Sequence, residues 1–396
     1  MLSHLRDSFN SSFTDEKYSR LLKRMDALCG AHVEFRISET PVFLPTPLVE
    51  RMERSGREII LQLVSDTVYL EKSARVIPKG FHVPRPSDHP LFAAVDFGIA
   101  RDENGEYVPK LIELQGFPTM FVYQSVLSQQ YKEIYDLPRR LTSYMGGLTT
   151  DGYLELLRAS ILGSHDPEEV VLMELDPMQQ KTRVDFILTE RTCGIHTVNI
   201  RDIVKKGTRL FRRENGSLLP IRRIYNRAIV DDLLKSGAPL PFRFDEELDV
   251  EWAGHPNWFY QISKFSIPFL DHPDVPRTSF LANMESYPEH LERWVLKPLF
   301  SFAGSGVKVG PTKDDIEAVP RSDRSNYVLQ ERVEYAGAVR SPNGPTMVEV
   351  RMMYVWSEDG PRAVNNLVRM GRGKMMGVDH NKNMPWVGSS AGFHIP

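Results

Sequence analysis

Apolar-rich runs alternate with a polar break between Phe92 and Pro118, in FAAVDFGIARDENGEYVPKLIELQGFP. The alternation predicts two strands joined through Asp102-Glu103-Asn104-Gly105, because Asn-Gly tolerates the positive φ of a type I′ turn. With Asn104 and Gly105 as a two-residue loop, Asp96 lies directly opposite Glu113. Gln115 then shares the face of Glu113, since side chains alternate with period two. A three-residue loop would send Asp96 to the other face. Pro109 marks this hairpin as an edge of its sheet.

Other segments follow their own periods. Residues 1–80 read as mostly helical, interrupted by Pro41-Val42-Phe43-Leu44-Pro45-Thr46-Pro47, with Leu48 to Leu70 patterned as a surface helix. Ser125 to Tyr135 predicts a short helix ended by Pro138, and Gly146-Gly147 a loop. Next come a helix over Asp151–Leu162, a short buried strand over Glu169–Glu174, a helix over Thr182–Cys193 and a strand over Ile195–Ile200. Arg209 to Tyr225 reads as a hairpin around Asn215-Gly216. Strand and helix in alternation argue for an α/β unit with a parallel core, and residues 237–241 look like the linker out of it. Strand-like runs then recur at Trp294–Lys297, Tyr327–Val333, Met347–Trp356 and Ala363–Val368. The expected organisation is three parts: 1–150, 151–245 and 246–396.

Composition narrows the class without naming a function. The chain has 396 residues, 41% of them hydrophobic and 26% charged, as in ordinary globular proteins. A net charge of −3 gives no whole-protein field for nucleic acid or an anionic membrane. Cys29 and Cys193 are the only cysteines, too few for a disulfide framework or a cysteine-based zinc site. No run of eighteen apolar residues predicts a membrane span. The first twenty residues lack the apolar core of a signal peptide, so a cytoplasmic protein is expected. The eleven histidines show no metal-ligand spacing, and His380 and His394 read as structural.

The candidate chemistry sits in two places. Two acids directly opposite each other repel, and an oxygen-rich cluster of Asp96, Glu113 and Gln115 is what Mg²⁺ asks for. The same residues also suit the solvated face of an edge hairpin, and both readings stand at this point. Further along, Trp294-Val-Leu-Lys297-Pro298 ends a strand with a lysine and leads into a small-residue loop containing Ser301, Gly304, Ser305 and Gly306. Backbone N–H groups of such a loop can approach phosphate oxygens, with an ammonium nearby. A plain turn explains the loop as well, and a surface lysine explains Lys264. The apolar run ending in Gln330, Glu331, Val333 and Glu334 could wall an adenine, or form a half-exposed strand. Glu349, Arg351 and Arg369 put further polar groups on strand-like runs, and Arg369 could neutralise a transferring phosphoryl group or be a plain surface cation.

The order of these parts resembles the ATP-grasp superfamily: lysine strand, glycine-rich loop, acidic hinge, E-x-R strand and glycine-studded tail. Asp96…Glu113-x-Gln115 lies near the N-terminus, whereas ordinary members carry their metal hairpin at the C-terminal end. That order is similar to the circularly permuted ATP-grasp ligases, the group of glutathionylspermidine synthetase and the eukaryotic-type glutathione synthetases. The likeness spans most of residues 90–396 and includes the segment Ile221–Arg227. It implies an α/β (α+β) fold, with an ATP-grasp core in permuted order and an α/β substrate domain over 151–245.

The resemblance also implies a carboxylate–amine ligase that forms an amide through an acylphosphate, using ATP and Mg²⁺. Asp96, Glu113 and Gln115 would hold metal. Lys264, Lys297, Ser301, Gly304, Ser305, Gly306, Gln330, Glu331, Val333 and Glu334 would hold nucleotide. Arg369 and Arg351 would be catalytic. Gln115 stands where the family usually has asparagine, and Ala94 where it often has arginine, which leaves the substrates open. Expected partners are a small-molecule or peptide carboxylate and an amine, with a homo-oligomer left open. Alternatives are a nucleotide binder without turnover, a phosphotransferase, or a module gripping RNA or an acidic partner through Arg209–Arg227. For that arginine cluster, a solvated hairpin ranks ahead of a substrate pocket, and RNA comes last.

Overall fold

A computed structural model describes residues 1–237, 239–300, 306–373, 376, 381 and 383–396. At its centre lies an antiparallel sheet in the order Gly388–Ser390, Gly360–Gly371, Gly344–Ser357, Phe92–Arg101, Tyr107–Gln115, with Val339–Ser341 joined to the 344–357 strand. The predicted hairpin therefore pairs with strands from the far end of the chain. Tyr107–Gln115 is the edge strand, consistent with Pro109.

The hairpin's register differs from the expected one near the turn and agrees at the acids. Arg101 pairs with Tyr107, so the loop runs from Asp102 to Glu106 and is longer than two residues. Asp102 organises it by accepting from the backbone N–H of Asn104 and Glu106. A bulge then places one extra residue, Ile112, between the pairs Phe97–Leu111 and Asp96–Glu113. The longer loop and the bulge compensate, and Asp96 does face Glu113.

The central sheet has unlike faces. On one, Ala93, Val95, Phe97, Ile99, Val348, Val350, Met352 and Val368 pack against the helix Thr46–Ser65. That helix buries Leu48, Met52, Ile59, Ile60 and Leu63, each contributing about 1.5–3 kcal/mol. Glu50, Arg54, Arg57, Glu58 and Gln62 on its other side stay exposed, so it is the charged surface helix expected, with its apolar stripe on the sheet. It also stops at Ser65, because Asp66 accepts from Tyr69 N and caps a separate helix, Thr67–Ala74. The opposite face is apolar at Phe92, Met353 and Val355, which join the cluster around helices Asp15–Cys29, Phe121–Ile134 and Arg183–Cys193. Further along, that face turns charged.

Two smaller sheets complete the surroundings of that charged face. One is parallel, ordered Glu251–Ala253, Arg223–Asn226, Val170–Glu174, His196–Asn199, as the strand–helix alternation predicted. The other is antiparallel, ordered Thr278–Phe280, Tyr327–Glu331, Trp294–Pro298, Lys308–Val309. Arg209–Glu214 and Ser217–Ile221 form the hairpin expected around Asn215-Gly216, both of which have positive φ. Arg223–Asn226, expected within that hairpin, belongs to the parallel sheet. Among the described residues no helix is long and apolar enough to cross a membrane.

Candidate functional site

Period-two alternation sets five charged side chains on one face of the central sheet. Glu113 pairs with Asp96, and Asp96 pairs with Arg351, in one row across three strands. In the adjacent row Gly98 pairs with Glu349, and Glu349 with Arg369. Asp96 is 1% exposed, and its Oδ1 accepts from Arg351 Nε at 2.6 Å. Its Oδ2 accepts from Arg351 Nη2 at 2.7 Å and Arg369 Nη2 at 2.5 Å. Burial pushes the Asp96 carboxyl up, but the two guanidinium groups outweigh it and hold its pKa below the ordinary value.

Glu349 sits differently. Burial raises its pKa against the pull of Arg369. Tyr335 donates to Glu349 Oε2 at 2.9 Å. Arg369 Nη1 lies 2.7 Å from Oε1, off the axis of a hydrogen bond.

Glu113, the other acid of the facing pair, has a side chain 29% exposed, with Lys264 Nζ 3.7 Å from its Oε1. The repulsion that the sequence read as a demand for Mg²⁺ is thus met differently on the two sides. Two arginines neutralise Asp96, while Glu113 keeps solvent access beside one lysine. Lys297 crosses from the 294–298 strand to the hairpin, donating to Ile112 O at 3.1 Å and to Gln330 Oε1. The bulge therefore supplies the carbonyl that receives this lysine. Burial pushes the Lys297 ammonium down to about 8, against the pull of Glu113.

A cleft of about 930 Å³ runs between the three sheets. It is lined by Glu113, Gln115, Lys264, Lys297, Gln330, Glu331, Val333, Glu334, Arg351 and Arg369. The structure thus brings together most of the residues singled out from the sequence. Asp96 and Gly306 do not line it. Ser301, Gly304 and Ser305, like His380, lie outside the described residues. Gln330 Nε2 is buried without a hydrogen-bond partner, and Glu331 pairs with Arg277.

Sequence reasoning gave no role to two further cleft residues, Glu174 and Tyr335, and it read Glu349 only as a further polar group. Glu174 ends the buried strand 170–174, and Arg227 follows the parallel strand 223–226. Both sit at the carboxyl edge of the parallel sheet, where open α/β sheets receive ligands. Glu174 is 5% exposed, and burial pushes its carboxyl up to about 8 although Leu175 N donates to it. Arg227 is paired through Nη1 with buried Asp185 at 2.6 Å. Asp185 also accepts from Tyr123 N near the start of helix Phe121–Ile134. A polar residue closing an apolar strand was the only available signal for Glu174.

The arginine cluster disperses. Arg212 pairs with Glu168 and Glu214, Arg222 with Asp249, and Arg223 with Glu251, leaving Arg227 to face the cleft. Among the described residues, Glu168, His196 and Glu214 converge closely enough for a metal. Arg212 donates to both of those acids at 2.7 Å, so a cation already occupies the centre of the group.

No protein-family model and no curated protein matches the sequence. Among solved structures, the chain is similar to a glutathione synthetase-like effector (GSS30) from Globodera pallida in its apo form. The TM-score is 0.57 at 12% identity, over 95% of this chain and 97% of that one. The fold is glutathione synthetase-like. At this identity the likeness speaks for the mixed α/β architecture, which extends along nearly the whole chain and includes the first eighty residues that carried no sequence resemblance.

Proposed function

We propose that the protein is an ATP- and Mg²⁺-dependent ligase of the ATP-grasp type, joining a carboxylate to an amine through an acylphosphate. The observation that carries this reading is the convergence of Glu113 and Gln115, from one end of the chain, with Lys264 and Lys297, from the other, on one cleft. The residues present fit the expected groups. Glu113 offers a solvent-accessible carboxylate, Gln115 an amide oxygen, and Gln330 Nε2 an unpartnered buried donor for a nucleobase. The permuted order of the core is part of this proposal.

When bound, ATP and Mg²⁺ would activate the substrate carboxylate by phosphorylation. The chain's own contribution is positioning and charge. Lys264 and Lys297 neutralise phosphate oxygens. Arg351 and Arg369 face the cleft where charge accumulates, and the buried site strengthens their effect. Glu174 and Arg227 line the part of the cleft beside the parallel sheet, where they would orient a substrate. Burial keeps Glu174 protonated at neutral pH, so it can donate a hydrogen bond.

ATP incubated with Mg²⁺ and a panel of carboxylates and amines should release ADP, with one amide product per ADP. A stable phosphorylated product formed without amine would favour a phosphotransferase. AMP in place of ADP would exclude the acylphosphate route.

A further inference from the structure

We propose that Asp96 is a positioning residue, holding Arg351 and Arg369 as a pair at the cleft wall, and does not bind the divalent ion. This rests on the nucleotide reading above and departs from the metal role that the sequence resemblance implies for Asp96.

The Asp96 carboxylate is already committed to the two arginines. An ionised aspartate is acceptor-only, and both Asp96 oxygens already take guanidinium N–H groups, three bonds in all. The residue is 1% exposed and does not line the cleft. A metal at either oxygen would have to share it with a guanidinium N–H, in a position closed to solvent. Glu113 has no such commitment.

The charges around Asp96 also balance. Two arginines and two acids, Asp96 and Glu349, form a buried group with no net charge. Without Asp96 the two guanidinium groups would repel each other and leave the geometry in which both line the cleft. Together they can meet an incoming anion with bonds already oriented, so little rearrangement accompanies binding.

Local backbone supports the same division. The bulge at Ile112 turns Glu113 opposite Asp96 and offers its carbonyl to Lys297. In the neighbouring row, a Cβ on Gly98 would stand 2.7 Å from the Tyr335 ring. The missing side chain is what lets Tyr335 lie on the sheet and hold Glu349, the second acid of the group.

The test uses the full chain, Mn²⁺ as a paramagnetic probe, and a non-hydrolysable ATP analogue. Wild-type protein should bind Mn²⁺ in an analogue-dependent way, and Glu113→Gln should weaken that binding tenfold or more. Asp96→Asn should keep Mn²⁺ affinity within twofold of wild type. It should at the same time lose most of the preference for the triphosphate analogue over ADP, a ratio that a generally loosened fold leaves in place. If Asp96→Asn does not fold, Asp96→Glu, which keeps the charge but displaces it by one methylene, takes its place, with the same expectations.

Loss of Mn²⁺ on the scale of Glu113→Gln would overturn the proposal, as would an unchanged triphosphate preference. Wild-type protein that takes up neither probe would defeat the nucleotide reading itself, and this proposal with it. Binding by wild type with loss in Asp96→Asn would defeat the proposal alone.

Discussion

On the central sheet, two arginines share Asp96, with Glu349 completing a neutral group. On the parallel sheet, one arginine, Arg227, has Asp185 beside a carboxyl that burial keeps protonated. Both arrangements border the same cleft, yet they respond to it differently. The first presents two fixed cations, with one counter-charge, Asp96, behind them and the other, Glu349, beside them in the cleft wall. The second presents one cation and a hydrogen-bond donor. A site for a highly charged ligand and a site for a less charged one differ in just this way. The contrast accords with phosphate chemistry beside the antiparallel sheet and substrate binding beside the parallel one.

The largest expected effect comes from breaking either pair. Asp96→Ala or Asp185→Ala leaves buried guanidinium charge uncompensated and should cost about 3–5 kcal/mol in urea unfolding. The two sites should then part. Adding Arg227→Met to Asp185→Ala restores neutrality and should recover most of the loss. Adding Arg351→Met to Asp96→Ala leaves Arg369 facing Glu349 alone and should recover less. Equal recovery at both sites would erase the distinction.

Activity gives the next largest effect. Glu113→Ala should keep a cooperative unfolding transition while ADP release falls roughly 10²–10³-fold, the scale of one lost electrostatic contact in a closed site. Near-wild-type turnover by folded, ATP-saturated Glu113→Ala protein would contradict the metal assignment.

The two acids should also impose opposite pH slopes on stability. Asp96 has a folded pKa below its unfolded value, so its contribution is present at neutral pH and lost as pH falls through the folded value. Glu174 has a folded pKa raised to about 8, so the stability tied to its proton is present below the unfolded value near 4.5 and fades as pH rises towards 8. Comparing wild type with Glu174→Gln by thermal unfolding from pH 5 to 9 should show wild type losing ground. The loss should be at most about 1.4 kcal/mol per pH unit. Parallel curves would remove Glu174 as the cause. A smaller effect follows from Lys297, whose ammonium titrates near 8. Affinity for a triphosphate should decline above that pH, and a flat profile to pH 9 would assign its charge no part in binding.

Much of this site was legible in the sequence, because strand alternation and order along the chain carry information about faces. Asp96 faced Glu113 as expected, although the loop was longer and a bulge restored the register. Alternation reports which residues share a face, but it is silent on which neighbouring strand supplies the counter-charge. Arg351 and Arg369 lie more than two hundred residues from Asp96, so their claim on it required the sheet order. Glu174 and Tyr335 went unremarked for a related reason. A lone acid after an apolar strand, or a tyrosine in a loop, acquires meaning only from what tertiary packing puts beside it. The helix Thr46–Ser65 was legible as a surface element from its apolar spacing and many charges, but not which sheet face its stripe would cover.

Under the proposed function, one cleft receives a metal-bound nucleotide from both sides. Calorimetric titration of a non-hydrolysable ATP analogue into the full chain, with and without Mg²⁺, tests that most directly when wild type and Lys297→Met are run side by side. Saturable binding that requires Mg²⁺ and weakens tenfold or more in Lys297→Met is the expected result. Absence of binding by wild type, or equal affinity in the variant, would contradict it.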